Sequence, residues 1–221
     1  MPLRCVVVAA FVLAAALAGV PPAVAAPAQE TAGEEAGVAR QMLIRRADLP
    51  RGWRVDDLED ATGDGDLCAV FRRSAMTATG LAAGPAFARL PALVAPVAFV
   101  FPRAAVARQR FARLTSRRYQ RCFARQLVDA AREDDEIRVG RFGVRRVSGP
   151  VVGDQRDIAR IRVPMTVDGV RVALFLDMAH VRLGRGIAFV LFAAGRTPFD
   201  EALRDKLLET VEARMERALA S

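Results

Sequence analysis

The feature that most constrains the fold is the stretch DIARIRVPMTVDGVRVALFLDMAHV, residues 157–181. At its centre, Asp168-Gly169 is a favoured dipeptide for a two-residue hairpin turn with positive φ at both positions. Counting outward from that turn, every cross-strand pair on one face is apolar: Val167 with Val170, Met165 with Val172, Val163 with Leu174, Ile161 with Leu176, and Ala159 with Met178. Turn chemistry and hydrophobic alternation therefore predict the same register for an antiparallel hairpin with one buried face.

The same register assigns partners to the polar residues of the hairpin. Arg160 faces Asp177 on the opposite side, an opposite-charge pair that contributes roughly 0.2–1 kcal/mol if exposed. His180, the one histidine of the chain, faces Asp157 at the far end. A histidine–carboxylate pair can perform acid–base chemistry. Such a pair near the end of a sheet is more often structural, and we expect Asp157 and His180 to form a structural pair.

The remaining elements predict an α+β fold. Strands are expected at 95–101, 137–148 (with a bulge suggested by its glycines) and 187–194, and residues 77–93 are expected to be irregular. A long helical stretch at 104–132 is interrupted near Thr115-Ser116, and a final helix begins with Thr197 as its N-cap. This order predicts one domain over residues 38–221, an antiparallel meander sheet with helices packed on one face.

The first 25 residues are typical of a secretory signal peptide. Arg4 precedes an apolar run over 5–20, which at 16 residues is shorter than the roughly 20 that span a bilayer. Small residues then offer cleavage after either Ala25 or Ala28. Val20 stands where a lipoprotein would carry its lipidated cysteine, so we expect secretion without a lipid or a membrane span. Residues 26–37 are polar and aperiodic and are expected to form a disordered linker.

The cysteine count agrees with export. Once the leader is removed, only Cys68 and Cys122 remain. Two cysteines in an exported chain predict one disulfide, with two buried free thiols as the alternative.

The formal charge of +8 is unevenly distributed, because residues 103–146 hold thirteen arginines against five acidic residues. One Trp and one Tyr leave no aromatic ladder for stacking bases, so no nucleic-acid partner is expected. The candidate ligand or anion patch is the helical set Arg110, Arg117, Arg118 and Arg121. It would face a small molecule, a lipid head group or an anionic envelope polymer. The alternative is an ordinary solvated helix face, and a protein partner remains a further expectation.

Catalytic, cofactor and metal sites are not expected. One histidine and two bonded cysteines cannot form a Cys–His nucleophile or a multi-histidine zinc site. No Gly-rich nucleotide loop is present. Residues 60–66 match the first half of a calcium loop, but Phe71 stands where the bidentate glutamate belongs. We expect a secreted, non-enzymatic ligand-binding or sensor-like domain, or alternatively a structural or partner-interaction envelope protein without a small-molecule ligand.

Four cues carry a family resemblance: DLPRGW (48–53), an early cysteine, a second cysteine inside the long helix, and VRLGRGIAFVLF (181–192) followed by PF before the last helix. Together they resemble secreted single-domain proteins of actinobacteria and the extracellular sensor domain of the mycobacterial serine/threonine kinase H, over about residues 42–219. A single lysine and no asparagine are typical of a high-GC genome. The resemblance implies a non-catalytic ligand-binding module.

Overall fold

A computed structural model describes residues 26–56 and 68–220. Within those residues it contains one nine-stranded antiparallel sheet and five α-helices. The strands are β1 (Arg54–Asp56), β2 (Gly80–Ala83), β3 (Ala86–Arg89), β4 (Ala92–Val100), β5 (Ile137–Val139), β6 (Gly143–Arg146), β7 (Gln155–Val167), β8 (Val170–Leu183) and β9 (Gly186–Gly195). The helices are α1 (Ala26–Gln41), α2 (Ala69–Thr77), α3 (Ala104–Leu114), α4 (Arg117–Arg132) and α5 (Glu201–Ala220). The α+β class is confirmed.

The strand order is β1-β3-β4-β9-β8-β7-β5, with β2 also paired to β4 and β6 also paired to β7. Strands β7, β8 and β9 form a meander of two successive hairpins. The predicted register of β7 and β8 is confirmed along its whole length, from Val167 opposite Val170 to Asp157 opposite His180. Asp168 and Gly169 have φ values of 51° and 78°, as the two-residue turn requires.

The helices cover both faces of the sheet, whereas the sequence pattern predicted helices on one face. The α4 face carries α2, α3 and α4, packed on alternate residues such as Phe99, Ile161 and Leu191. The α5 face carries α1 and α5, packed on the intervening residues such as Val94 and Val190. Strand β9 is buried along nearly its whole length. Because its apolar residues point to both sides, each face needs its own helical cover.

The segment expected to be a disordered linker is helical instead, as part of α1. Tertiary contacts hold it against β2, β4 and α5. Gly80 on β2 lets it approach closely, since a Cβ there would overlap the Glu35 carbonyl. The Glu35 carboxylate also pairs with Arg185, with an N–O distance of 2.6 Å. The predicted signal peptide at 1–25 and the calcium-like segment at 60–66 lie outside the described residues.

Three further expectations are corrected. Residues 77–93 contain β2, β3 and the start of β4 rather than irregular chain. The strand expected at 137–148 is two strands, β5 and β6, with a break opposite Pro164. The N-cap of α5 is Asp200 rather than Thr197, because the Leu203 N–H donates to the Asp200 carboxylate at 3.1 Å.

Other local expectations are confirmed. The long helical stretch breaks between α3 and α4, where the Ser116 hydroxyl caps α4 by accepting from the Tyr119 N–H. Cys68 and Cys122 form a disulfide with a Cα–Cα distance of 6.1 Å, which ties the N-terminal end of α2 to α4. Trp53, for which no expectation was stated, is buried and packs on Phe199, with ring centroids 6.0 Å apart.

Candidate functional site

The α5 face is only partly covered by its helix. The first turn of α5 lies over the Arg160–Asp177 pair, where Glu201 accepts from Arg160 at 3.0 Å and Arg204 donates to Asp177 at 3.0 Å. From there α5 runs away from the turn of the β7–β8 hairpin, toward Gly186 at the other end of the sheet. Beside that turn, a groove of about 750 Å³ opens along β5, β7 and β8. We call it the arginine groove, after Arg138, Arg162, Arg171 and Arg196, which line it.

Strand register explains why these side chains meet. Thr166 on β7 is the direct partner of Arg138 on β5 and of Arg171 on β8, so the three form one cross-strand row. Arg162 lies four residues along β7 on the same face, because side chains alternate with a period of two. Arg196 follows β9, and its backbone N–H donates to the Ala173 carbonyl at 2.8 Å.

Pro164 shapes the floor of the groove. It lies opposite the break between β5 and β6. Proline has no backbone N–H, so Pro164 cannot donate a hydrogen bond to a neighbouring strand. Its carbonyl accepts from the Gly140 N–H at 2.8 Å. A Cβ at Gly140 would lie 3.2 Å from the Pro164 ring, tighter than ordinary packing. Gly140 therefore lets the loop pass close to β7, and the floor beside Pro164 and Ala173 stays low and apolar.

The charged side chains that line the groove are all positive. The four arginine side chains are exposed, and none makes a hydrogen bond or an ion pair with another residue in 26–56 or 68–220. None of the described residues that line the groove is acidic. Guanidinium groups bind phosphate, sulfate and carboxylate through paired N–H donors. Among the described residues that line the groove, Thr166 adds a hydroxyl beside the guanidinium groups.

The arginine patch expected from the sequence lies elsewhere. Arg110 is on α3, and Arg117, Arg118 and Arg121 are on α4, so all four belong to the layer that covers the α4 face. The last three are exposed, whereas Arg110 is half-buried with its Nε unpartnered among the described residues. Burial, followed by repulsion from Arg113 and Arg73, lowers the pKa of Arg110. None of the four lines the arginine groove, and their role as an anion patch stays a prediction.

Asp157 and His180 are cross-strand partners as predicted, but their side chains do not bond to each other. The Asp157 carboxylate accepts from Gln120 at 3.1 Å and pairs with Arg146 at 2.8 Å. Burial raises its pKa, an effect that Arg146, Arg156 and Gln120 oppose. Asp157 and His180 are therefore paired through the strand register, without a hydrogen bond between their side chains.

The His180 ring is fully buried between Tyr119 and Phe189, with centroid distances of 6.2 and 4.9 Å. Both ring nitrogens lack a hydrogen-bond partner within the described part of the chain. Burial lowers the pKa of His180 to about 3, so the ring is neutral at physiological pH. A neutral ring without a carboxylate partner is not arranged for acid–base work.

A buried ionic cluster lies on the same hairpin, under the first turn of α5. Asp177 accepts two hydrogen bonds from Arg160 and one from Arg204, and all three side chains are at most 4% exposed. The hydrogen bonds that Arg160 donates to the Asp177 carboxylate raise the pKa of Arg160. Arg204 also donates to Asp205 at 2.8 Å and to the Ser148 carbonyl at 3.0 Å. With its hydrogen bonds made inside the protein, this cluster anchors the start of α5.

Sequence reasoning missed the arginine groove, although one signal for it was local. The hairpin register sets Arg162 opposite Phe175 and Arg171 opposite Thr166, on the face of the hairpin that also carries Arg160. Arg138 and Arg196 come from strands whose alignment with the hairpin no local pattern specifies. The excess of arginine in residues 103–146 favoured a candidate patch on the helices instead.

In residues 26–56 and 68–220, no group of three or more His, Cys, Asp or Glu side chains is placed to hold a metal ion. No helix in this part of the chain is both long and apolar enough to cross a membrane.

The chain is loosely similar in structure to a known extracellular domain. No protein-family model matches the chain, and no curated protein matches it. Among solved structures, it is similar to the extracellular domain of PknH from Mycobacterium tuberculosis, with 11% sequence identity and a TM-score of 0.39. The match covers 84% of this chain and 97% of that domain. The resemblance expected from the sequence is thus confirmed as a loose structural match.

Proposed function

We propose that this chain is an extracellular, non-enzymatic, sensor-like domain that binds an anionic polymer in the arginine groove. The observation that carries the proposal is the convergence of Arg138, Arg162, Arg171 and Arg196 on one groove without an acidic partner. They come from β5, β7, β8 and the residue after β9, so the fold itself assembles the cluster. Like charges held close together repel one another, and an anionic ligand would relieve that repulsion.

The shape of the groove favours an extended ligand. Small molecules are usually held in enclosed, mainly apolar pockets that bury most of their surface. Here the four arginines are exposed and the groove lies open along the sheet. A chain-like polyanion can lie across such a surface and use several guanidinium contacts at once.

The runner-up, a partner-interaction protein without a ligand, would be favoured by a contiguous exposed apolar patch. Among the described residues, the large exposed apolar side chains are Val55, Met76, Leu90, Val151 and Val170. They belong to five different elements or connections of the fold. Scattered single residues of this kind are ordinary on a soluble surface, so the arginine groove is the better-supported site.

Extracellular location is part of the proposal. The Cys68–Cys122 disulfide supports an oxidising compartment, and the predicted leader would supply the export route. Intact mass of the protein from culture medium tests this. A mature N-terminus at Ala26 or Gln29 without a lipid adduct is expected, and a diacylglyceryl adduct would contradict it. Val20→Cys should convert the protein to a membrane-bound form.

Binding is tested by fluorescence anisotropy with labelled linear polyphosphate and labelled polyglutamate at low and physiological salt. The double variant Arg162→Gln/Arg171→Gln should weaken binding about tenfold or more, since each charged hydrogen bond contributes about 1.5–3 kcal/mol. Arg117→Gln/Arg118→Gln on α4 removes the same charge and should change affinity little. Equal loss in both variants would indicate non-specific attraction. Loss in the α4 variant alone would assign binding to the helical patch.

A further inference from the structure

We infer that Arg196 is the central ligand contact of the arginine groove, and that a strained backbone turn holds it in that place. This inference rests on the proposed function. It names the residue on which the affinity for an anionic polymer depends most.

Arg196 lies in the middle of a strained turn at the end of β9. Its φ of 72° is in the left-handed region, which disfavours any residue with a β-carbon. The Thr197 N–H donates to the Gly195 carbonyl at 3.0 Å. A hydrogen bond between residues two apart, with positive φ at the residue between them, is the pattern of the rare and strained form of the γ-turn.

Hydrogen bonds and packing fix this turn from several sides. The Gly195 N–H donates to the Pro91 carbonyl at 3.1 Å. The Arg196 N–H donates to the Ala173 carbonyl at 2.8 Å. Three residues further on, Phe199 is buried in the core of the α5 face. Strained residues persist only where the surrounding structure determines their conformation in this way, and they concentrate at active and ligand-binding sites.

The turn itself does not require an arginine. Glycine adopts positive φ without a steric penalty and is the usual residue in such a position. Within the described residues, the other non-glycine residue with positive φ is Asp168, whose place in an Asp-Gly hairpin turn explains it. The Arg196 side chain is exposed and makes no hydrogen bond or ion pair with a residue in 26–56 or 68–220. Since the side chain adds no such contact to the fold, we expect its partner to lie outside the chain.

The turn places this guanidinium in the middle row of the groove. Arg196 is bonded through its backbone to Ala173, the cross-strand partner of Pro164, and its side chain lines the groove. Arg162 lies two residues before Pro164 on β7, and Arg171 lies two residues before Ala173 on β8, so charged rows flank the middle row on both sides. Residues that dominate binding cluster at the centre of an interface, where their neighbours exclude water. Arg196 should therefore contribute more than either flanking arginine.

The fixed turn also lowers the entropic cost of binding. Part of that cost is the ordering of loops and side chains at the site. Because the hydrogen bonds around Arg196 already fix its backbone, only the side chain becomes ordered when an anion binds. The guanidinium then offers paired N–H donors to the anion, together with its positive charge.

Single substitutions in the mature protein measure the contribution of each arginine to affinity. Fluorescence anisotropy with labelled linear polyphosphate at physiological salt compares Arg196→Gln with Arg162→Gln. Arg196→Gln should weaken binding at least about tenfold, as expected for the loss of a charged hydrogen bond, and it should weaken binding more than Arg162→Gln. Arg117→Gln on α4 removes the same charge outside the groove and should change the affinity little.

Thermal unfolding without ligand tests the strain separately. Arg196→Gly and Arg196→Ala both remove the guanidinium, but alanine keeps a β-carbon at positive φ. The melting temperature of Arg196→Gly should therefore exceed that of Arg196→Ala by about 2 °C or more. Arg171, which lies in β8 without positive φ, provides the control pair Arg171→Gly and Arg171→Ala. There the order should be reversed, because glycine weakens a strand.

The results distinguish the two proposals. If the native protein binds neither polyphosphate nor polyglutamate, the proposed function itself is overturned. If Arg162→Gln/Arg171→Gln abolishes binding while Arg196→Gln weakens it no more than Arg162→Gln does, the groove keeps its function and the central role of Arg196 is overturned. If Arg196→Ala is at least as stable as Arg196→Gly, the strained turn is overturned.

Discussion

Arg160 on β7 and Asp177 on β8 are joined by two hydrogen bonds, 2.6 Å from Nε and 2.7 Å from Nη2, and both side chains are buried. Their pairing follows from the hairpin register, but their burial comes from α5. A second guanidinium, that of Arg204, donates to the same carboxylate at 3.0 Å. Asp177 therefore balances two buried cations, and its contribution differs from that of an exposed ion pair.

Asp177→Asn should be strongly destabilising. The amide keeps the size of the side chain but leaves Arg160 and Arg204 buried without their shared carboxylate. Removing one partner of a buried ion pair costs about 3–5 kcal/mol. Urea unfolding followed by circular dichroism measures it. Asp168→Asn is the matched control, since Asp168 is exposed at the turn and Asn tolerates positive φ. Its expected change is within about 0.5 kcal/mol, and equal effects of the two variants would contradict the argument.

Gly169→Val should destabilise the hairpin through backbone strain alone. Gly169 has a φ of 78°, and no atom lies within 4 Å of where its Cβ would be. A left-handed conformation costs an L-residue roughly 1–2 kcal/mol, and a β-branched side chain resists it further. Gly143→Val is the control, because Gly143 also has open space but lies in a strand without positive φ. A comparable loss of stability in both variants, measured by thermal unfolding, would refute a strain mechanism.

Replacing Cys68 and Cys122 together by alanine should lower the free energy of unfolding. The disulfide closes a loop with a sequence separation of 54 residues, for which chain entropy gives about 4 kcal/mol as an upper value. Guanidinium unfolding of the oxidised protein, the reduced protein and the double variant measures the effect. The reduced protein and the variant should agree closely. Two alkylatable thiols in the unfolded, unreduced protein would contradict the bond itself.

His180 should make the protein acid-sensitive. Burial lowers the pKa of His180 to about 3, whereas an unfolded histidine titrates near 6.5. As the pH falls from about 6.5 toward 3, the unfolded state takes up a proton that the folded state does not. Stability is therefore lost with acid, by about 1.4 kcal/mol per pH unit from this residue.

The His180→Phe variant isolates that contribution, since the aromatic ring still packs between Tyr119 and Phe189. Unfolding free energies measured by urea between about pH 7 and pH 4 should fall less steeply for the variant than for the native protein. Asp157, whose pKa is raised by burial, works in the opposite direction but is present in both proteins. Parallel pH profiles would show that His180 does not titrate as argued.

Local patterns allowed much of the core to be predicted. The β7–β8 register depended on one turn and on alternation within the same 25 residues, so no distant contact could shift it. The break between α3 and α4 was equally local, since a serine cap marks it. By contrast, nothing in the polar sequence of residues 26–37, the first part of α1, predicted a helix. Packing on β2 and α5 holds it in place.

The sequence by itself determined the hairpin and the α+β class, and it predicted the Cys68–Cys122 disulfide. Tertiary structure decided that helices cover both faces, that α5 buries Arg160 and Asp177, and that Arg138 and Arg196 join Arg162 and Arg171 in one groove. The physical reason is the distance along the chain over which each kind of interaction acts. Turn geometry and side-chain alternation act between near neighbours in sequence. A groove built from β5, β7, β8 and the end of β9 depends on how separate strands align, and that alignment follows only from packing the whole sheet between its helices.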